Sequence, residues 1–409
     1  MPPLLKSGAL IQPPYFAFMQ QAVQILQVHE LNVLQLEPAF HDQFACSGCG
    51  LCCQRPWLIS ITREYFETWY QEFDSHPSGQ FRQPFLLRSR PDERNFADIR
   101  RKPGTGECIF LMDDRRCFIQ ANYGEAALSR TCGSFPRIEG WFGSFLGRFM
   151  LTNCPDVQDL AQQFPEIRYH ITSLNRQRFE AFGLKTHPLG LMQGYLWLGL
   201  QLDLIHDSRL TPIQTLRCLN AAIREHLDPL ETETPVATLE AMHQQLRRQT
   251  FEAPAEAPPG DRSEGFEAML WLLEGFESLK TFLAEARSGW RALPALDPDE
   301  RSLLGDFLRN YLAYRMLTMN FFSQQREQIF HQAYFLLAAQ LCLLQWLALY
   351  YREREGTALS RDQLLRAATV IGYRYVHSPA LSDLLPDLGA TALLKGIDQV
   401  LSFDFCEAP

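Results

Sequence analysis

The chain has 409 residues, of which 46% are hydrophobic and 21% charged, with a formal net charge of -9. That length suits two domains or one large domain with an appendage, and the composition is that of a globular protein with a sizeable core. The acidic balance argues against nucleic acid as a partner, because a phosphate backbone selects a basic face.

The start, Met1-Pro2-Pro3-Leu4-Leu5-Lys6, lacks a basic segment followed by an apolar run. No secretory signal is read there, and a cytoplasmic location is expected. Residues 1–37 read as a leader holding one amphipathic helix, Phe16 to Val28. Residues 38–160 carry most of the cysteines among short, irregular elements. Within them Trp57-Leu58-Ile59-Ser60-Ile61 predicts a strand, and Thr62 predicts the N-cap of a helix beginning Arg63-Glu64-Tyr65. Trp141 to Leu151, after the turn-like Glu139-Gly140, predicts a second strand region.

Helix signals dominate from residue 161 to the end. Thr211-Pro212-Ile213-Gln214 puts a hydroxyl at the cap, Pro at the first helical position and Gln at the third, which satisfies otherwise orphaned N–H groups. It predicts a helix to about Leu227. Asp297-Pro298-Asp299-Glu300 repeats the device before Leu303 to Phe321, and Ser360-Arg361-Asp362-Gln363 does so before Leu364 to Tyr375. The Pro- and Glu-rich stretch from Glu252 to Gly260 predicts a mobile linker near 252–264. The longest apolar run, Phe335 to Tyr351, is short for a membrane span and contains Gln340 and Gln345. It predicts a buried helix and no stable membrane insertion. The expected fold is mainly α: an irregular cysteine-rich metal-binding region with a few short strands over 38–160, then a helical half over 161–409.

Eight of the eleven cysteines fall between Cys46 and Cys154. In a reducing compartment such crowding predicts metal or redox chemistry before disulfides. In Cys46-Ser47-Gly48-Cys49-Gly50-Leu51-Cys52-Cys53 the two-residue spacing lets thiolates converge, and the glycines let the backbone turn tightly. Cys46, Cys49 and Cys52 match the first three positions of the bacterial ferredoxin run. Cys154-Pro155 offers a closing ligand a hundred residues later, and Cys108, Cys117 and Cys132 complete the candidate metal set. The vicinal pair Cys52-Cys53 predicts divided labour, since successive side chains usually diverge. An iron–sulfur cluster of the 4Fe-4S kind is expected, with zinc as the alternative, because four-cysteine sites of this spacing hold either. Cys218, Cys342 and Cys406 read as ordinary packing residues, and His331 and His377 as helix-packing or surface residues rather than ligands.

Two further groups stand out. Arg130 and Arg137 flank Cys132, where they can hold a carboxylate, offset a thiolate-bound cluster or simply be solvated. Asn310, Tyr311, Tyr314 and Arg315 make i,i+4 pairs that line a pocket or form a satisfied polar stripe between helices.

The ordered series Cys46-x-x-Cys49-x-x-Cys52-Cys53, Cys108-Ile109-Phe110-Leu111, Cys117-Phe118-Ile119, Leu128-Ser129-Arg130-Thr131-Cys132, Phe135-Pro136-Arg137 and Cys154-Pro155-Asp156 resembles the flagellin lysine-N-methylase family. Its cysteine-rich part is also described as a zinc- or iron-chelating domain. Phe307 to Arg315 looks like that family's helical half, so the resemblance runs from about 38 to 380. Gly133 stands where the family tends to have Arg, and Asp156 where it usually has Glu.

The resemblance implies S-adenosylmethionine-dependent methyl transfer to a lysine amine of a protein substrate with exposed lysines, flagellin by resemblance only. The residues themselves carry no G-x-G-x-x-G opening a βαβ unit. Gly140, Gly143 and Gly147 have the wrong spacing and read as hairpin glycines. The C-x₃-C-x₂-C spacing of radical enzymes is also absent. Amine methylation needs a neutral lysine, an in-line sulfonium and a dry pocket. On that reading Arg130, Arg137 and Arg315 are candidates for the cofactor, and Tyr311 and Tyr314 for the neighbourhood of the acceptor amine. The competing class is a non-enzymatic iron–sulfur or zinc protein, used for electron transfer or as a metal-stabilised interaction module.

Overall fold

The structure, a computed structural model, describes residues 9–28, 32–55, 57–142, 145–175, 191–226, 236–249, 296–318 and 327–376. The expected linker near 252–264, Cys406, His377 and the side chain of His331 lie outside the described residues. The described strands are β1 (Ala9–Leu10), β2 (Asn32–Pro38), β3 (Ser60–Ile61), β4 (Phe85–Leu87), β5 (Ala97–Ile99), β6 (Arg137–Phe142), β7 (Phe145–Met150) and β8 (Tyr169–Asn175). The described helices are α1 (Tyr15–Val28), α2 (Arg63–Asp74), α3 (Phe118–Tyr123), α4 (Arg130–Ser134), α5 (Pro155–Ala161), α6 (Leu191–Ile205), α7 (Pro212–His226), α8 (Val236–Gln249), α9 (Pro298–Thr318), α10 (Glu327–Glu355) and α11 (Arg361–Val376).

The chain divides into two units, one of residues 44–138 and one of 1–43 with 139–409. The expected boundaries at 37 and 160 are corrected on this point, because the supposed leader supplies a strand to a sheet built from residues far along the chain. That sheet has five strands in the order β1-β8-β2-β7-β6. Its middle strand, β2, pairs antiparallel with β8 from Asn32↔Asn175 to Pro38↔Tyr169, and parallel with β7 at Gln35↔Leu146. Alternation decides the face: Leu34 and Leu36 are buried, as are Tyr169 and Ile171 opposite. Glu37 on β2 meets Arg148 on β7 at 2.6 Å, an ion pair across neighbouring strands. The fold is therefore mixed α/β. Strand β8 falls inside the stretch expected to be helical, where Tyr169, Ile171 and Leu174 carried a strand's preference.

Helices complete this unit. The backbone N–H groups of Tyr15 and Phe16 open α1 by donating to the Asp203 carboxylate of α6, at 2.6 and 3.0 Å. The two helices approach closely at Gly199, where a Cβ would come within 2.8 Å of the Phe16 Cα. The long apolar run lies within α10, where Gln340 and Gln345 are buried with Leu341, Leu344 and Trp346. Among the described residues no helix is long and apolar enough to cross a membrane.

The three capping sequences form as expected. Thr211 and Gln214 exchange bonds, N–H to Oε1 at 2.8 Å and N–H to Oγ1 at 3.1 Å. Ser360 and Gln363 do the same at 2.9 and 3.4 Å. At the start of α9 the Asp297 and Glu300 backbone N–H groups reach each other's carboxylates at 3.1 and 2.9 Å. Glu300 does more than cap: it is buried, receives Arg352 Nε and Nη2 at 2.6 and 2.9 Å, and accepts the Leu359 N–H at 2.7 Å. Burial pushes its carboxyl up, but the Arg352 guanidinium and the backbone donors outweigh burial and hold it below the usual range.

A carboxyl held low in the folded state stabilises above its ordinary pKa and loses that stabilisation as pH falls towards the folded value. Thermal melts should therefore fall with acidification below about pH 5, and less steeply in Glu300→Gln. Removing the carboxyl in Glu300→Ala strands Arg352 and should cost about 3 kcal/mol in urea unfolding at neutral pH. A melt unchanged from wild type would contradict this account.

Candidate functional site

The 44–138 unit is built around aromatic side chains. Phe73, Phe81, Phe85, Phe110 and Phe118 are buried in one core, with Tyr65, Phe66, Trp69 and Tyr70 of α2 packed against it. Thr62 caps α2 as its sequence predicts, accepting the Tyr65 N–H at 3.2 Å. The short sheet β3-β5-β4 closes one side, so the predicted strand over 57–61 shrinks to Ser60–Ile61.

This core carries the thiols. In Cys46-Ser47-Gly48-Cys49, Gly48 takes φ +73° and its N–H points at the Cys46 sulfur at 3.4 Å. Gly50 takes φ +68°, and both the Cys53 and Gln54 N–H groups donate to its carbonyl, at 3.0 and 3.1 Å. This tight turn brings the successive sulfurs of Cys52 and Cys53 to 4.0 Å, which corrects the expectation that they diverge. A Cβ on Gly50 would overlap the carbonyl oxygen of Arg115, so the turn and the 108–117 loop lie in direct backbone contact.

That loop is pinned at both ends. Cys108 N–H donates to the Cys53 carbonyl at 2.7 Å, and Phe118 N–H to the Phe110 carbonyl at 2.8 Å. Arg115 at its tip takes φ 68°. The result is a group in which the Cys53 thiol hydrogen-bonds with Cys108, Cys117 and Cys52. Those bonds, together with burial, hold the Cys53 proton far above the usual thiol range. Its neighbours move the other way. Cys117 is lowered to about 6, first by the bond from Cys53, working against burial, and then by the Gln120 and Ile119 N–H groups at the start of α3. Cys108 is lowered by Cys53 and, after its own burial is overcome, by the Phe110 N–H and the Arg101 charge. Cys52 is lowered by Cys53 as well. Cys132, beside them, is pushed up to about 12 by burial, despite its bond with Ser129.

These five thiols feel one another's charge, so each one ionised opposes the ionisation of its neighbours. Among the described residues, no three His, Cys, Asp or Glu side chains are already disposed around a common point for a metal ion. The donor chemistry nevertheless suits one, because thiolates are the ligands of zinc and iron–sulfur centres. Arg101 pairs with Cys108 across an isolated bridge. One of its nitrogens donates to the Trp57 carbonyl, while its Nε and Nη1 are buried and have no hydrogen-bond partner among the described residues. A half-buried guanidinium with idle donors beside a group of thiols fits a centre of net negative charge. Neither Arg101 nor Tyr65, whose hydroxyl is raised by burial and by Cys132, Cys117 and Cys108, stood out in the sequence.

The other expected residues are placed as follows. Cys154 belongs to the second unit, as the buried N-cap residue of α5, beside an Asn153 whose side-chain amide is buried and has no hydrogen-bond partner among the described residues. Arg137 lies over the Phe44 ring at 5.0 Å and donates to the Phe44 carbonyl at 3.3 Å. Arg130 is exposed and lines a cavity of about 800 Å³ in the 44–138 unit. Ser60, Thr62, Glu64, Tyr65, Arg94 and Thr131 line the same cavity.

Tyr311, Tyr314 and Arg315 lie in the core of the second unit, 1%, 2% and 4% exposed. Tyr314 ties α9 to β7, accepting the Met150 N–H at 2.8 Å and donating to the Met150 carbonyl at 2.7 Å. Gln340 Oε1 receives the Tyr311 hydroxyl at 3.3 Å and Arg315 Nε and Nη2 at 3.2 and 3.0 Å, while Arg315 Nη1 donates to Thr152 Oγ1 at 3.2 Å. Burial raises both tyrosines and lowers the arginine. In this setting the three side chains form a polar layer between elements.

The site defines a class: a compact cysteine unit in which one thiol, Cys53, bonds with three others, in a chain that also has a helix-and-sheet unit. The chain is similar to proteins named Lysine-N-methylase from Salmonella typhimurium (strain LT2) and Salmonella choleraesuis (strain SC-B67), at 28% identity over 123 residues. That stretch is 30% of this chain and 30% of each of those proteins. It is equally similar, at 28% identity, to the Flagellar biosynthetic protein FliU of Salmonella muenchen, covering 72% of that protein. These relatives agree with the family resemblance drawn from the cysteine motifs. No protein-family profile matches the chain, and no solved structure does.

Gly50→Ala tests the geometry of the thiol group. It forces a side chain into a left-handed turn and into the Arg115 carbonyl, and should destabilise the 44–138 unit by about 2 kcal/mol or more in urea unfolding. Gly79→Ala, at a similar φ but with nothing within 4 Å, should cost only the backbone strain. Equal losses for the two would show that the close approach at Gly50 is unimportant.

Proposed function

We propose that the protein is a lysine N-methyltransferase that acts on a protein substrate, takes its methyl group from S-adenosylmethionine and carries a thiolate-held metal centre in its 44–138 unit. The reading of a metal centre rests on Arg101. Its two idle, buried nitrogens, Nε and Nη1, beside Cys108 ask for negative charge that neutral thiols do not supply. The methyltransferase reading rests on the relatives named Lysine-N-methylase, and flagellin is the substrate by resemblance alone.

Cys52, Cys53, Cys108 and Cys117 take first place as ligands because Cys53 bonds with each of the other three. Cys46, Cys49, Cys132 and Cys154 are the remaining candidates. The centre is an iron–sulfur cluster on the ferredoxin-like spacing of Cys46, Cys49 and Cys52. One observation favours zinc as the second reading. The 4.0 Å between the Cys52 and Cys53 sulfurs is close to the ligand–ligand edge, about 3.8 Å, of a tetrahedron around one zinc ion. When bound, the centre supplies positive charge that holds the thiolates together and anchors the turn to the loop.

In the reaction proposed, the neutral lysine nitrogen attacks the sulfonium methyl carbon. The carbon–sulfur bond breaks, S-adenosylhomocysteine leaves, and the nitrogen gives up a proton to solvent or a nearby base. Arg130 is the cofactor candidate that lines a cavity. Arg137 holds the Phe44 backbone, and Tyr311, Tyr314 and Arg315 keep the second unit's core in register.

Two measurements test this. Protein purified without oxygen should be brown and contain iron and sulfide, or be colourless with stoichiometric zinc. Cys53→Ser should lose most of the metal, whereas Cys218→Ala with Cys342→Ala should keep all of it. Metal-free wild type, or full retention in Cys53→Ser, defeats the metal assignment. Incubation with methyl-labelled S-adenosylmethionine and flagellin should put label on lysine, read by peptide mass spectrometry. Absence of label on flagellin and on every other protein offered defeats the methyltransferase reading.

A further inference from the structure

The cavity beside the thiol group has a recognisable polarity. Its wall is formed by β3, the first two turns of α2, the Arg94-Asn95 turn and α4. Two guanidinium groups, Arg94 and Arg130, line it, and among the described residues neither is engaged in an ion pair. Arg63, Arg88 and Arg116 of the same unit, in contrast, are paired with Glu93, Asp98 and Asp114. One carboxylate, Glu64 in the first turn of α2, lines it too, again outside any ion pair among the described residues. Hydroxyls of Ser60, Thr62, Thr68, Thr131 and Ser134 fill the wall between them, and Tyr65 and Trp69 add aromatic surface.

Most of those hydroxyls are committed to the protein. Thr62 accepts the Tyr65 N–H, Thr131 donates to the Ser60 carbonyl at 3.3 Å, Ser134 to the Thr131 carbonyl at 3.3 Å and Thr68 to the Glu64 carbonyl at 2.8 Å. They hold the wall rigid and leave the three charged side chains to meet a ligand. A simple anion would use the arginines and be repelled by Glu64. A ligand carrying a carboxylate, an ammonium group and a flat ring would use both signs and the aromatic surface.

We infer that this cavity binds the α-amino-acid headgroup of a nucleoside-linked amino acid, its carboxylate on Arg94 and Arg130 and its ammonium group on Glu64. Within the function proposed above, on which this inference rests, that ligand is the methyl donor, S-adenosylmethionine. Its adenine ring would then have Tyr65 or Trp69 to lie against, and a volume of about 800 Å³ is ample for it. The cavity also shares α4 with the thiol group: Arg130, Thr131 and Ser134 line it, while Cys132 of the same short helix packs into the aromatic core. Tyr65 does the same from α2, lining the cavity while its hydroxyl donates to the Ala127 carbonyl.

The test is equilibrium binding to the metal-replete full chain, using S-adenosylhomocysteine, methionine and adenosine as separate probes. Wild type should bind S-adenosylhomocysteine more tightly than either fragment. Arg94→Ala and Arg130→Ala should each weaken it about tenfold, and Glu64→Gln several-fold, with adenosine binding nearly unchanged. Both arginines are exposed, so the variants should keep the wild-type melt and metal content, and those are measured alongside. If wild type binds S-adenosylhomocysteine and all three variants bind it equally well, the ligand sits elsewhere and this inference fails while the methyltransferase reading stands. If wild type binds inorganic phosphate as tightly as S-adenosylhomocysteine, the cavity is a simple anion site and the headgroup assignment fails. If wild type does not bind S-adenosylhomocysteine at all, the donor in the proposed function fails, and the cavity's occupant with it.

Discussion

One close approach organises the cysteine unit: the backbone of Gly50 lies against the carbonyl of Arg115. No other residue fits there. The position takes a left-handed φ, and a Cβ has no room. Once the two segments touch, the Cys53 carbonyl is in place for the Cys108 N–H, and the thiols before and after that bond fall together. Two loops separated by more than fifty residues of sequence thus present their sulfurs to one another. The aromatic core under them is what makes that arrangement affordable, since it anchors α2, α3 and the 108–117 loop by burial.

The electrostatics of that group follow from crowding. A single thiol in an apolar core is inert because burial favours the neutral form, as Cys132 illustrates. Cys53 reverses this for its neighbours by giving them a hydrogen bond, and α3 adds backbone donors for Cys117. Acidic thiols and one tightly held proton are therefore properties of the same four sulfurs. Arg101 and Tyr65 belong to this environment as much as the cysteines do, one through its charge and the other through its burial beside them.

What was legible in the sequence was whatever is written within a few residues. The caps at Thr62, Thr211, Asp297 and Ser360 each close over three or four positions, and all four form as their side chains dictate. The cysteine spacing and its family resemblance were legible for the same reason. The five-stranded sheet was not, because β2 finds its partners in β7 and β8, far along the chain, and no local pattern announces a parallel pairing. The Cys52–Cys53 contact was misread because alternation of neighbouring side chains holds for strands, and a turn through Gly50 does not obey it. Arg94 carried no signal at all. An arginine in a polar turn looks like solvated surface until the fold sets it on the same wall as Arg130 and Glu64.

The topology of the sheet also dictates a timetable. Strand β2 leaves the ribosome early, but its neighbours β7 and β8 follow only after the whole of 44–138 has been made. The cysteine unit is complete, with its own core and its own sheet, while the middle strand of the larger unit still has no partner. Until β7 and β8 have been made, β2 is an apolar strand without the neighbours it pairs with in the finished sheet. Leu34 and Leu36, buried in the finished protein, are the residues a chaperone would have to shield through that interval.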